Sequence, residues 1–242
     1  MSSRLQTLVA DLVDANHILF QQGVVDAFGH ASARHPDDPQ RFLLARNVAP
    51  AQVQAGDIVE YAVASGEAVA ADAPRPYLER FIHSELYRAR PEVMAVVHSH
   101  SSALLPFAVA AGARLQPVCH MCGFLGRGAP LFEIRDAAGD ASDLLIRNRA
   151  LGMALAAALG NANVVLMRGH GSTTVAESLR LAVYRAIYTE LNAKLQLQAA
   201  ALGPVVALTA GEAEAAREAT EGQVDRPWNL WRRQAASMRA GD

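Results

Sequence analysis

Two of the eight histidines in this 242-residue chain sit two positions apart where an apolar run ends, in Val93-Met94-Ala95-Val96-Val97-His98-Ser99-His100. Side chains of a β-strand alternate, so residues i and i+2 leave on the same side. Two imidazoles leaving one strand end together are spaced to grip a single divalent ion. A third imidazole, His170, stands in Arg168-Gly169-His170-Gly171, directly after the apolar run Val164-Val165-Leu166-Met167. Glycines on both sides let backbone approach a ligand or ion closely. A lone histidine in such a turn is ordinarily structural. A second strand end presenting imidazoles makes it a ligand candidate, because sites in α/β sheets gather at strand C-termini.

The segment before His98 adds a carboxylate. Pro76 reads as the start of a helix of about four turns, ended near Arg90 by Pro91. That helix carries Glu79 and, one turn later on the same face, His83. Either could complete the set. Three imidazoles and one carboxylate suit zinc, manganese, iron or cobalt, and spacing does not choose among them.

The elements that must hold these groups follow from periodicity. Residues 4–22 place Leu5, Leu8, Val9, Leu12, Val13, Ile18 and Leu19 at helical spacing, closed by Gly23. Phe42-Leu43-Leu44 and Ile58–Val63 read as strands, and a strand ends in His98. A helix is expected over 101–111, a strand at Pro130–Ile134, and a Leu/Ala-rich helix over 143–159, closed by Gly160. Val164–Met167 reads as a buried strand, and the longest helix runs over 176–202 to Gly203-Pro204. A more charged tail, from Glu212 on, carries Trp228 and Trp231. The pattern is one α/β domain with a peripheral C-terminal segment.

Composition limits the function classes. With 51% hydrophobic and 19% charged residues the chain can bury a large core. A net charge of -2 with no basic run argues against nucleic acid as a partner. No apolar stretch reaches the ~20 residues needed to span a bilayer, and the N-terminus shows no cleavable apolar run. A soluble cytoplasmic protein without a membrane partner is expected. Cys119 and Cys122 cannot form a four-cysteine zinc site. They read as two buried thiols of a reducing compartment.

Four stretches resemble the class II aldolase/adducin family: Phe28-Gly29-His30-Ala31-Ser32-Ala33-Arg34, Glu79-Arg80-Phe81-Ile82-His83, Val96-Val97-His98-Ser99-His100 and Arg168-Gly169-His170-Gly171. The resemblance runs from about residue 8 to about 205 in order and spacing. It implies a three-layer α/β/α fold around a central, mainly antiparallel sheet. The domain is read over 1–205, and the helical tail over 206–242 could cover a neighbouring subunit's site or equally be a plain packing tail. The resemblance also implies a homotetramer, and a divalent metal held by Glu79, His98, His100 and His170, with His83 behind the ligands rather than among them.

The departures carry the substrate expectation. Sugar-phosphate aldolases of this family hold phosphate with small hydroxyl-bearing residues, including a Ser-Ser pair where this chain has Tyr77-Leu78. Their Gly-Asn-x-Ser asparagine is His30 here, and Arg46-Asn47 replaces another small-residue stretch. The tyrosine expected after a Pro-x-x-His is absent, since Met121 follows His120. What remains resembles the branch that decarboxylates hydroxylated benzene or pyridine dicarboxylates.

An arene carboxylate needs help to lose CO₂, because the aryl anion is too unstable. An ortho-hydroxyl allows protonation at the ipso carbon, and a metal can chelate the phenolate and carboxylate oxygens. The expected roles are Glu79 and His30 in catalysis, with Arg80 and then Arg46 pairing a second carboxylate. A metal-dependent aldolase on a non-phosphorylated carbonyl substrate and a non-catalytic adducin-like domain are the alternatives. For Tyr188 packing is the default, and Arg226 with the tail tryptophans could reach a neighbouring site.

Overall fold

The computed structural model describes residues 2–239. In chain order it forms α1 (Ser3–Gln21), β1 (His30–Arg34), β2 (Arg41–Ala45), β3 (Ile58–Ala62), α2 (Arg80–Ala89), β4 (Ala95–Ser99), α3 (Leu105–Val109) and β5 (Leu131–Phe132). Then come α4 (Arg135–Ala138), α5 (Arg149–Leu159), β6 (Val164–Met167), β7 (Gly171–Ala176), α6 (Leu179–Leu202), α7 (Ala210–Glu221) and α8 (Asp225–Arg239). One seven-stranded sheet has the order β3-β2-β1-β4-β7-β6-β5. Every neighbouring pair is antiparallel except β5 with β6. This is the mainly antiparallel α/β/α arrangement that the motifs imply.

Strand parity builds the two cores. On β4, Ala95 and Val97 pack on the side of α1 and α6, while Val96 packs with Phe81, Ile82 and Leu155 of α2 and α5. Val164 and Leu166 of β6 face the first side, Val165 and Met167 the second. A sheet covered on both faces reads in sequence as continuous apolar runs, which is why β2, β4 and β6 were visible.

Two central strands carry no such signal. β1 is His-Ala-Ser-Ala-Arg and β7 is Gly-Ser-Thr-Thr-Val-Ala, yet every residue of both is buried. Their polar side chains are hydrogen-bonded inside, so a hydropathy pattern does not mark them.

Several helix boundaries differ from expectation. The helix expected from Pro76 begins at Arg80, because Pro74-Arg75-Pro76 keeps the preceding chain extended. The stretch over 101–111 is helical only at Leu105–Val109, and the strand at 130–134 shrinks to Leu131–Phe132. The helix expected from 143 starts at Arg149, where the Asn148 side chain accepts from the Leu151 N–H. Ser178 caps the longest helix in the same way, so α6 starts at Leu179 rather than 176.

The C-terminal segment packs on its own chain. Trp228 is fully buried and Trp231 nearly so, both in the core shared with α1 and α6. Among the described residues no helix is long and apolar enough to cross a membrane.

Candidate metal centre

His98 has the parity of Val96, so it emerges on the α2 side of β4, directly opposite His30 on β1 and Thr173 on β7. His100 lies one residue beyond the strand. The β6–β7 turn brings His170 back over the same strand end. Gly171 permits this: a Cβ there would lie 2.0 Å from the Ser99 carbonyl oxygen. Glu79 enters from the residue preceding α2. One ligand atom from each of Glu79, His98, His100 and His170 lies within 4.8 Å of the others.

The surrounding hydrogen bonds set the ring states. His98 Nδ1 lies 3.1 Å from the Ser172 carbonyl oxygen, and His170 Nδ1 lies 2.9 Å from that of Leu144. A carbonyl only accepts, so both Nδ1 atoms carry the proton and both Nε2 atoms present lone pairs. These lone pairs converge on His100 Nε2, at 3.1 Å from His98 and 3.0 Å from His170. His100 Nε2 can donate to at most one of them. Three imidazole nitrogens around a cation with bonds of about 2.0–2.1 Å stand about 3.3 Å apart in tetrahedral geometry, close to this spacing.

The carboxylate is equally prepared. Glu79 Oε1 accepts from the Ile146 N–H at 2.9 Å. Its Oε2 faces His98 Nε2 at 3.5 Å and His170 Nε2 at 3.4 Å. Burial pushes its pKa up, but positive charge beside it outweighs that: a protonated His98 or His170 holds the carboxyl well below the usual range, and with the rings neutral a bound cation would take that part. Burial lowers His98, and burial with its two histidine neighbours lowers His100 to about 4. Ionised carboxylate and neutral imidazoles are the states that bind a metal ion. The donor set fits a divalent ion.

A cavity of about 330 Å³ opens beside this cluster. His30, Tyr77, Leu78, Asn47, Glu79 and His100 line it, with Phe28 and Leu145. Most positions where the chain departs from the phosphate-binding pattern therefore face the cavity. Arg46 does not: its guanidinium binds Asp57 Oδ1 at 2.6 Å. Nor does Arg80, which binds Glu67 Oε1 at 2.7 Å and lies over the Phe81 ring. The cation that lines the cavity is Arg75, which pairs with no carboxylate among the described residues. Its flanking prolines were the signal for an extended segment there. His83 stands behind His30, outside the ligand cluster.

Other supports were not legible. Leu144 and Ile146 orient two ligands from a stretch read as helix, and Ser101 donates to Glu190 of α6, anchoring the chain beyond His100. His120, Tyr188, Arg226 and Trp231 lie together in a separate cleft of about 730 Å³ against α7 and α8, away from the ligand cluster.

A family model, the class II aldolase and adducin N-terminal domain, matches residues 10–197. The chain belongs to the class II aldolase/adducin family. Within this family it is 42% identical over 248 residues to the decarboxylase tropJ of Talaromyces stipitatus, covering 93% of each chain. It is 34% identical over 204 residues to a 3,4-dihydroxyphthalate decarboxylase of Terrabacter sp., covering 79% of this chain and 81% of that one. An aldolase II superfamily structure from Pseudomonas syringae superposes with a TM-score of 0.80 at 20% identity, over 98% of this chain and 95% of that one. The structural likeness establishes the fold, and the named relatives support a lyase with a decarboxylase role.

Proposed function

We propose that this chain is a metal-dependent decarboxylase of an ortho-hydroxylated aromatic carboxylic or dicarboxylic acid. The observation that carries this is the juxtaposition of the four-residue cluster with a small, partly aromatic cavity whose one Arg or Lys among the described residues, Arg75, pairs with no carboxylate among them. The names of the two relatives support the same reaction class.

A divalent ion held by Glu79, His98, His100 and His170 would supply Lewis acidity toward the hydroxyl and carboxylate oxygens of such a substrate. The chain's own groups do the rest. Tyr77, Leu78, Phe28 and Leu145 offer flat or apolar surface to a ring. Arg75 is placed at the cavity to pair with a further carboxylate. Glu79 has Oε1 held by the Ile146 N–H and Oε2 turned to the His98 and His170 nitrogens, so it serves as ligand, and the proton that replaces CO₂ comes from water. His30 is the imidazole left to contact the substrate's oxygens. The expected assembly is a homotetramer, measurable by sedimentation.

The test is metal analysis of the purified protein, followed by a panel of ortho-hydroxy aromatic mono- and dicarboxylates with CO₂ detection. The panel is run before and after chelation and with Zn²⁺, Mn²⁺, Fe²⁺ or Co²⁺ restored. Metal-dependent CO₂ release from at least one acid is expected. No release from any acid with the metal bound would overturn the proposal.

A further inference from the structure

Behind His30 runs a chain of buried polar groups that the ligand cluster does not use. His30 Nδ1 lies 2.7 Å from His83 Nε2, and His83 Nδ1 lies 2.6 Å from Ser32 Oγ. Ser32 Oγ lies 2.7 Å from the Tyr87 hydroxyl. The elements dictate this line. His30 and Ser32 are two apart on β1 and share a face, while His83 and Tyr87 are one turn apart on α2. All four are buried, Ser32 and His83 completely. No carboxylate belongs to the chain, so each ring carries one proton.

Only two directions of donation are available. In one, Tyr87 donates to Ser32, Ser32 to His83 Nδ1 and His83 Nε2 to His30 Nδ1. Every proton inside the chain then has an acceptor, and the remaining His30 proton sits on Nε2, toward the cavity. In the other, His83 Nδ1 donates to Ser32, and either the Ser32 or the Tyr87 hydroxyl proton is left buried without an acceptor, since the two hydroxyls have no further hydrogen-bond partner among the described residues. A stranded buried hydroxyl disfavours that arrangement by roughly ten- to a hundredfold.

We infer that Ser32 and His83, with the line closed at Tyr87, lock His30 as its Nε2–H tautomer, so that the metal cavity meets a hydrogen-bond donor rather than a base. The three are positioning residues that act through His30. The chain ends at buried Tyr87, with the Arg34 guanidinium 4.7 Å from that ring's centre, so it is a lock and not a wire to solvent. A neutral donor suits an anionic oxygen, a carboxylate or phenolate. The link to substrate rests on the proposed function; the tautomer does not.

The experiment is a long-range ¹H–¹⁵N correlation on ¹⁵N-histidine-labelled, zinc-loaded protein, which distinguishes Nδ1–H from Nε2–H rings directly. Wild type should show His30 and His83 as Nε2–H. In Tyr87→Phe the Ser32 hydroxyl still has His83 Nδ1 to donate to, so His30 should stay Nε2–H. Ser32→Ala removes the hydroxyl that donates to His83 Nδ1, so His30 should move to a near-even tautomer mixture. With half of the rings in the wrong tautomer, kcat/KM for a hydroxyaromatic acid should fall about twofold in Ser32→Ala. An Nδ1–H His30 in wild type, or an unchanged His30 signal in Ser32→Ala, overturns the lock. If no acid releases CO₂, the decarboxylase reading fails while the spectrum still decides the tautomer.

Discussion

Replacing Gly171 by alanine tests the metal centre without touching a ligand. The new Cβ would sit 2.0 Å from the Ser99 carbonyl oxygen and 3.0 Å from His100 Cα. An ordinary C···O contact is about 3.3 Å or more, so strands β4 and β7 must separate by more than about 1 Å at this point. Both obstacles are backbone, so no side chain can swing aside. Overpacking of this kind costs about 1–3 kcal/mol, which in a chain of this size lowers Tm by roughly 2–12 °C. The displacement falls between His100 and His170, whose Nε2 atoms are 3.0 Å apart. Metal affinity should therefore fall further than global stability alone requires. Equilibrium unfolding measured with and without chelator, alongside metal content after dialysis, separates the two effects. A Gly171→Ala protein with wild-type metal content and an unchanged Tm refutes the argument that glycine is required for the approach.

Three further outcomes follow from the geometry. His98→Ala and His170→Ala should each lose bound metal and activity together, read by elemental analysis; retained metal in either variant removes that residue from the ligand set. Arg75→Ala should raise KM for dicarboxylates roughly tenfold or more relative to monocarboxylates, the scale of a charged hydrogen bond, whereas Arg80→Ala should leave that ratio unchanged; equal effects of Arg75→Ala on mono- and diacids remove its role. Finally, burial holds His83 down to about 3 and His100 to about 4. A histidine with a depressed folded pKa protonates first in the unfolded chain, so its contribution is present above about 6.5 and is lost as pH falls toward the folded values. Calorimetry of the metal-free protein should show Tm dropping steadily from pH 7 to 4, and a flat profile there contradicts the buried, neutral assignment.

The candidate ligand set was legible because its members announce themselves by type and place. His98 and His100 terminate an apolar strand, His170 sits between glycines after another, and Glu79 precedes a helix. The elements that orient these ligands were less legible. β1 and β7 are buried strands that mix His, Ser, Thr and Arg with Ala, Gly and Val, and polar groups in them find partners distant in sequence, as Ser32 does in His83 and Tyr87. The chain over 143–148 has helical composition, but Asn148 caps the helix after it and Leu144 takes a left-handed φ of 69°. Arg80 was a reasonable choice of carboxylate binder by position. That Glu67, thirteen residues earlier, captures it depends on a loop path that local sequence does not encode.

Leu144 and Ile146 tie two separate parts of the molecule into one unit. The carbonyl of the first holds His170, and the amide of the second holds Glu79. A non-glycine residue in the left-handed region carries a backbone cost of about 1–2 kcal/mol, so this strap is a loaded element. On the proposed function, metal binding by Glu79 and His170 and ordering of the strap are therefore coupled equilibria. By reciprocity, whatever stiffens residues 144–146 tightens the grip on the ion by the same factor that the ion stiffens the strap. Affinity at this centre can thus drift through changes in a loop that touches no metal.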